Sequence, residues 1–224
     1  MPSRKLNLFL WTGVLLLVVI MTVVVSRRFE TYFAAIGTLD VATRENGSVV
    51  KMRWTGQIEA PMASRITEAY QQHKDKARTF VLALSSPGGS LDQGAAVVQV
   101  LKTIAATHHI ETVVESGAIC ASMCVPVYLQ GQERSAAADA RFMFHKVSFN
   151  EFLSGEENAV PEAAKTRETD RLFARYFHAA GVSQEWIART RSAMADGAEV
   201  WKTAQQLVDE RAGIVQSVFS KSPR

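Results

Sequence analysis

Cysteine is scarce: the chain has two, Cys120 and Cys124, among 224 residues. No CxxC or HxxxH pairing accompanies them, so the usual zinc spacings are missing and no metal or cofactor is expected. No G-x-x-x-x-G-K-[ST] string occurs, which excludes a P-loop. No G-x-G-x-x-G string occurs either, which excludes the dinucleotide fingerprint. Internal repeats and low-complexity tracts are absent. Beyond residue 28 there is no basic excess: 21 basic residues stand against 22 acidic ones. A nucleic-acid partner is therefore not expected.

Long apolar runs are equally scarce, with one exception. Residues 8–25 (LFLWTGVLLLVVIMTVVV) form an uncharged run of 18. At ~1.5 Å per residue, a helix of that length nearly crosses a ~30 Å hydrocarbon layer. The run is long for a signal peptide, no A-x-A-like site follows, and Ser26-Arg27-Arg28 resembles an interfacial stop. Residues 1–28 therefore read as an uncleaved, single-pass transmembrane anchor, with a cleaved signal as the second reading. Arg4 and Lys5 oppose Arg27 and Arg28, so the positive-inside bias is weak. The orientation adopted puts the N-terminus in the cytosol and the remaining chain in a periplasmic or other extracytoplasmic space.

What remains is patterned as α/β. Residues 29–47 read as a linker, 48–217 as one domain and 218–224 as a tail. SVVKMRW (48–54) alternates as a strand does, and 61–78 has helical spacing with Pro61 in its first turn. TFVLALS (79–85) suits a buried parallel strand; 91–106 is helical again. HIETVVES and ARFMFHKVS read as strands, and 161–179 and 183–195 as helices. Strands alternating with helices imply a mostly parallel sheet covered on both faces.

Chemistry concentrates at the strand ends. In SSPGGS (85–90), Gly88 and Gly89 allow backbone N–H groups to turn toward an anion or a developing oxyanion. In GAICASMC (117–124), a helix starting near Ser122 would place that serine in a positive local field. The next amide, Met123, can aim at the same reacting group, although the G-x-S-x-G string of an elbow nucleophile is missing. Taken alone, Ser122 is as well read as a helix cap. His145 lies in an apolar strand, where its nitrogens need partners. If 120–124 is helical, Cys120 and Cys124 have Cα atoms about 6 Å apart, tight but within disulfide range. They are equally readable as two small buried thiols.

The order of these segments decides between readings. TGQIEAPM, SSPGGS, CASMC and RFMFHKV, in this order over about residues 50–217, resemble the ClpP family of serine peptidases. WKTAQQLVDERAGIV (201–215) is similar to that family's closing helix and strand. The resemblance implies a ClpP/crotonase-like fold of repeated ββα units and a serine hydrolase acting on peptide or protein substrates. It implies Ser122 as nucleophile and His145 as general base, with an oxyanion hole from Gly89 and Met123, joined by Gly88. The third member is Asp196 or Glu199: Asp196 has the family's side chain, Glu199 the better offset, and Asp196 is preferred here. Some membrane relatives, such as signal peptide peptidase A, use Ser-Lys chemistry, which would fall to Lys146 or Lys202. The resemblance also implies a homo-oligomer, but residues 149–170, where the family carries its inter-ring handle, are polar here. The alternative function is a catalytically silent ClpP-like scaffold at the membrane.

Overall fold

The computed structural model describes Met21, residues 37–148 and residues 160–220. The chain divides into two units, Met1–Ile36 and Gly37–Arg224. The expected anchor at 8–25, Met21 apart, lies outside the described residues. Among the described residues no helix is long and apolar enough to cross a membrane.

The second unit opens with β1 (Gly37–Arg44), which pairs antiparallel with β2 (Val49–Gly56) along its whole length. Residues 37–47 are thus part of the fold and not of a linker. The polar strand GTLDVATR hides this in the sequence, since only Gly37 is buried. A Cβ at Gly37 would lie 2.3 Å from the Trp54 ring, so the strand edge seats directly on that indole.

Next come α1 (Met62–His73), β3 (Thr79–Ser85) and α2 (Leu91–Ala105). Helix α1 buries Met62, Ile66 and Ala69, one stripe at helical spacing. Helix α2 buries Val97, Val98, Leu101 and Ile104, and the Ser90 hydroxyl caps it by accepting from the Gln93 amide. The chain continues through β4 (His109–Val114), β5 (Ile119–Ala121), α3 (Cys124–Tyr128), β6 (Glu133–Ala137) and β7 (Arg141–Phe144). Helix α4 (Glu162–Leu172) runs into a π-helical stretch, Phe173–His178. Then follow α5 (Gln184–Ala193), β8 (Val200–Thr203), α6 (Ala204–Asp209) and β9 (Ser217–Phe219). Residues 218 and 219 belong to β9, so the tail begins later than expected.

Two sheets result. The larger has the order β1-β2-β3-β4-β6-β9 and is parallel from β2 onward; the smaller has the order β5-β7-β8. Units β4-β5-α3 and β6-β7-α4 each give one strand to either sheet before a helix, the repeated ββα pattern. The expectation of a sheet covered on both faces is met only in part. Burial alternates along β2, where Val50, Met52 and Trp54 face the core and Lys51 and Arg53 face outward, but in β3 the outward-facing Ala83 is buried along with Phe80, Leu82 and Leu84.

Candidate active site

The site forms where the two sheets meet. Beyond β3, Ser86 pairs with Cys120 of β5, and Gly89 pairs with Ile58 after β2. Gly88 and Gly89 have φ values of +101° and +156°, the region that favours glycine. A Cβ at Gly89 would sit 2.4 Å from the Ile58 carbonyl oxygen, and one at Gly88 would sit 2.7 Å from Ser122 Cβ. The glycine pair is therefore what lets TGQI, SPGG and the serine turn close on one another.

Ser122 and Met123 stand between β5 and α3. For Ser122 the backbone is decisive. Its φ is +52°, left-handed and unusual for a non-glycine residue. The Ser122 amide donates to Met143 O at 2.9 Å, and Ser122 O accepts from Val125 N at 3.0 Å. The helix begins at Cys124, not at Ser122, and Pro126 falls in its first turn, where no amide is needed. This left-handed step turns the hydroxyl toward the end of β7, and Ser122 Oγ lies 2.7 Å from His145 Nε2. Cys120 and Cys124 are joined as a disulfide across the turn, Cα to Cα 5.2 Å. They bridge a strand end to a helix start, so the expected one-turn helical geometry does not apply.

Of the three expected oxyanion donors, two are available. Among the described residues the Gly89 and Met123 amides have no hydrogen-bond acceptor. Gly88 differs from expectation: its amide donates to Ser86 Oγ at 3.1 Å. Ser86 is fully buried and is a site residue that the sequence reading missed. Its only signal was the doubled serine before the glycines.

The Clp protease family matches residues 47–221. The chain belongs to the Clp protease family. Two solved structures are similar to it. One is a ClpP1 mutant from Listeria monocytogenes, at 19% identity, covering 78% of this chain and 92% of that one, TM-score 0.57. The other is the ClpP protease catalytic domain from Plasmodium falciparum, at 15% identity, covering 79% of this chain and 87% of that one, TM-score 0.54. No curated protein matches the chain. The domain is thus a ClpP-like peptidase domain with the mostly parallel α/β fold of that family.

Within this Clp protease domain the two expected acids, Asp196 and Glu199, lie just before β8. Strands β7 and β8 run antiparallel, with Met143 opposite Trp201 and Phe144 opposite Val200. The ladder ends at that pair; continued by one step, its register would set Glu199 opposite His145, and neither Glu199 nor Asp196 makes a hydrogen bond or ion pair with His145 among the described residues. Directly opposed side chains on such a ladder share a face, with Cβ atoms about 4.5–5.5 Å apart. The Glu199 carboxylate accepts from Trp201 Nε1 at 2.9 Å, and Trp201 carries the Arg141 guanidinium 4.4 Å from its ring centroid. Asp196, the preferred acid from sequence, is exposed and makes no hydrogen bond to His145. The Ser-Lys alternative loses both lysines: Lys146 Nζ donates to Ala195 O at 2.8 Å and to Glu162, and Lys202 pairs with Glu210.

Proposed function

We propose that this chain is a membrane-anchored serine peptidase with Ser122 as nucleophile, His145 as general base and Glu199 as the acid that orients it. The observation that carries this reading is the 2.7 Å approach of His145 Nε2 to Ser122 Oγ. With the proton on Nδ1, the Ser122 hydroxyl donates to Nε2 and can pass its proton there as Oγ attacks an acyl carbon. The imidazolium then returns that proton to the leaving amine, and water releases the acyl group through the same base. The Gly89 and Met123 amides would receive the oxyanion; losing one such donor typically costs ~3 kcal/mol of barrier. The Nδ1–H would face Glu199 across the β7–β8 register.

The substrates are peptides or proteins reachable from the membrane surface. The apolar run at 8–25 supports the anchor. The Cys120–Cys124 disulfide supports an oxidising, extracytoplasmic compartment, since such bonds persist there and are rare in the cytosol.

The full chain in detergent, treated with a fluorophosphonate probe, is expected to be labelled at Ser122. Ser122→Ala should abolish labelling, and His145→Ala should slow it by about 10²–10⁴, the span of general-base contributions. An unlabelled wild type, or equal labelling of Ser122→Ala, would sink the peptidase reading in favour of a silent scaffold.

A further inference from the structure

The disulfide encloses the nucleophile. Cys120 lies in β5, paired in register with Phe142 of β7, and Cys124 is the first residue of α3. Between them stand only Ala121, Ser122 and Met123. Those residues carry the nucleophile and one oxyanion donor, so the covalent ring closes around the reacting end of the site. Both sulfur-bearing residues are fully buried.

The segment needs such a restraint. A non-glycine residue at φ +52° persists only where its surroundings over-determine it. The noncovalent ties of the Ser122 backbone are two hydrogen bonds, one from its amide and one to its carbonyl, and its hydroxyl adds the bond to His145. Helix α3, which should anchor the far side of the turn, has five residues, too few to hold its shape independently. Strand β5, on the near side, has three. The disulfide joins one short element to the other at the point where the chain reverses.

We propose that the Cys120–Cys124 disulfide is a positioning device for Ser122, and that its reduction switches the site down while leaving the fold in place. This rests on the serine-peptidase reading. The bond holds the serine turn so that Oγ stays at hydrogen-bonding distance from His145 and the Met123 amide stays aimed at the oxyanion. Because both cysteines are buried, an external dithiol reaches the S–S bond when the turn opens locally, and its thiolate then breaks that bond. Two electrons and two protons pass to the Cys120 and Cys124 sulfurs, and the dithiol is left as its own disulfide. The freed turn can then leave the left-handed conformation. A displacement of ~1 Å at a reacting atom costs on the order of a hundredfold in rate.

The test compares the full chain in detergent, oxidised and after reduction, with thiol formation verified by alkylation and mass measurement. Three readouts are taken on each form: the second-order rate of fluorophosphonate labelling at Ser122, circular dichroism, and kcat and KM on a cleavable peptide. The expected result is a fall in labelling rate and kcat of about a hundredfold on reduction, with KM and the folded signal nearly unchanged, restored on reoxidation. The double variant Cys120→Ala/Cys124→Ala should match the reduced wild type and ignore reductant. Equal labelling of oxidised and reduced folded protein overturns the positioning role and leaves the peptidase reading standing. A loss that tracks loss of the folded signal also overturns it, since the bond would then only support the fold. Absence of labelling in the oxidised wild type overturns the peptidase reading and this inference with it.

Discussion

At Ser122 a φ of +52° does what the surrounding sequence pattern cannot: it turns a hydroxyl out of a strand-to-helix passage toward His145. The residue scale is also where the acid is chosen. Asp196 and Glu199 are three positions apart and both exposed, and composition gives no preference between them. The proposed role of Glu199 rests on the β7–β8 register, because His145 and Glu199 each sit one step past the pair Phe144 and Val200. Glu199→Gln is therefore expected to slow fluorophosphonate labelling and kcat by ~100-fold or more, while Asp196→Asn stays within about twofold of wild type. The opposite ranking would return the role to Asp196. Arg134 teaches a related lesson about buried charge. It is 8% exposed, and its guanidinium donates to the carbonyls of Gly131, Ala180, Gly213 and Ile214. Burial lowers its pKa. Gly131 is a near neighbour, but the Ala180, Gly213 and Ile214 carbonyls come from distant parts of the chain, so what lets β6 bury this arginine is not local.

At the scale of elements, the strand ladders create charge contacts that no single strand contains. Glu111 of β4 is paired in register with Glu133 of β6, and His109 lies two residues before Glu111 on the same face. The Glu111 pKa is raised, first by burial and then by the Glu133 charge, against a smaller opposite effect from His109. The sign follows from linkage. A carboxyl whose folded pKa exceeds its unfolded value takes up a proton on folding, so it favours the fold as pH falls toward the unfolded value. Above the folded pKa its charge is a cost. Glu111→Gln should therefore raise stability at neutral pH by no more than ~0.5 kcal/mol, about 1–2 °C in Tm. The gain should shrink as pH falls into the carboxylate range, and thermal melts at pH 7 and pH 4 would check it. A lower Tm at pH 7 would show that the charge is satisfied where it stands. The same scale explains the misjudged start of the domain. Strand β1 is a sheet edge, marked as structure by its pairing with β2, the Gly37–Trp54 seat and the Arg65 side chain of α1, which donates to Gly37 O.

At the scale of the whole molecule, the proposed anchor and the peptidase domain make a joint prediction. The full chain should sediment with membranes, resist alkaline carbonate extraction and dissolve in detergent, whereas a chain cut after residue 28 should be released. Release of the full chain by carbonate alone would rule out a transmembrane anchor. What the amino-acid order determined by itself was local: the lone apolar run, the βα alternation, and the ordered segments TGQI, SPGG, CASMC and RFMFHKV that led to Ser122 and His145. Each of these depends on neighbours within a dozen residues, where periodicity and turn chemistry act. Tertiary structure alone decided which glycine amide stays available, that the cysteines bridge a turn and not a helix, and that the outer face of the large sheet is buried at Ala83 and exposed at Arg53. Those outcomes depend on strand register and on backbone approach between segments far apart in sequence, and a one-residue slip in register would reverse every one of those facings.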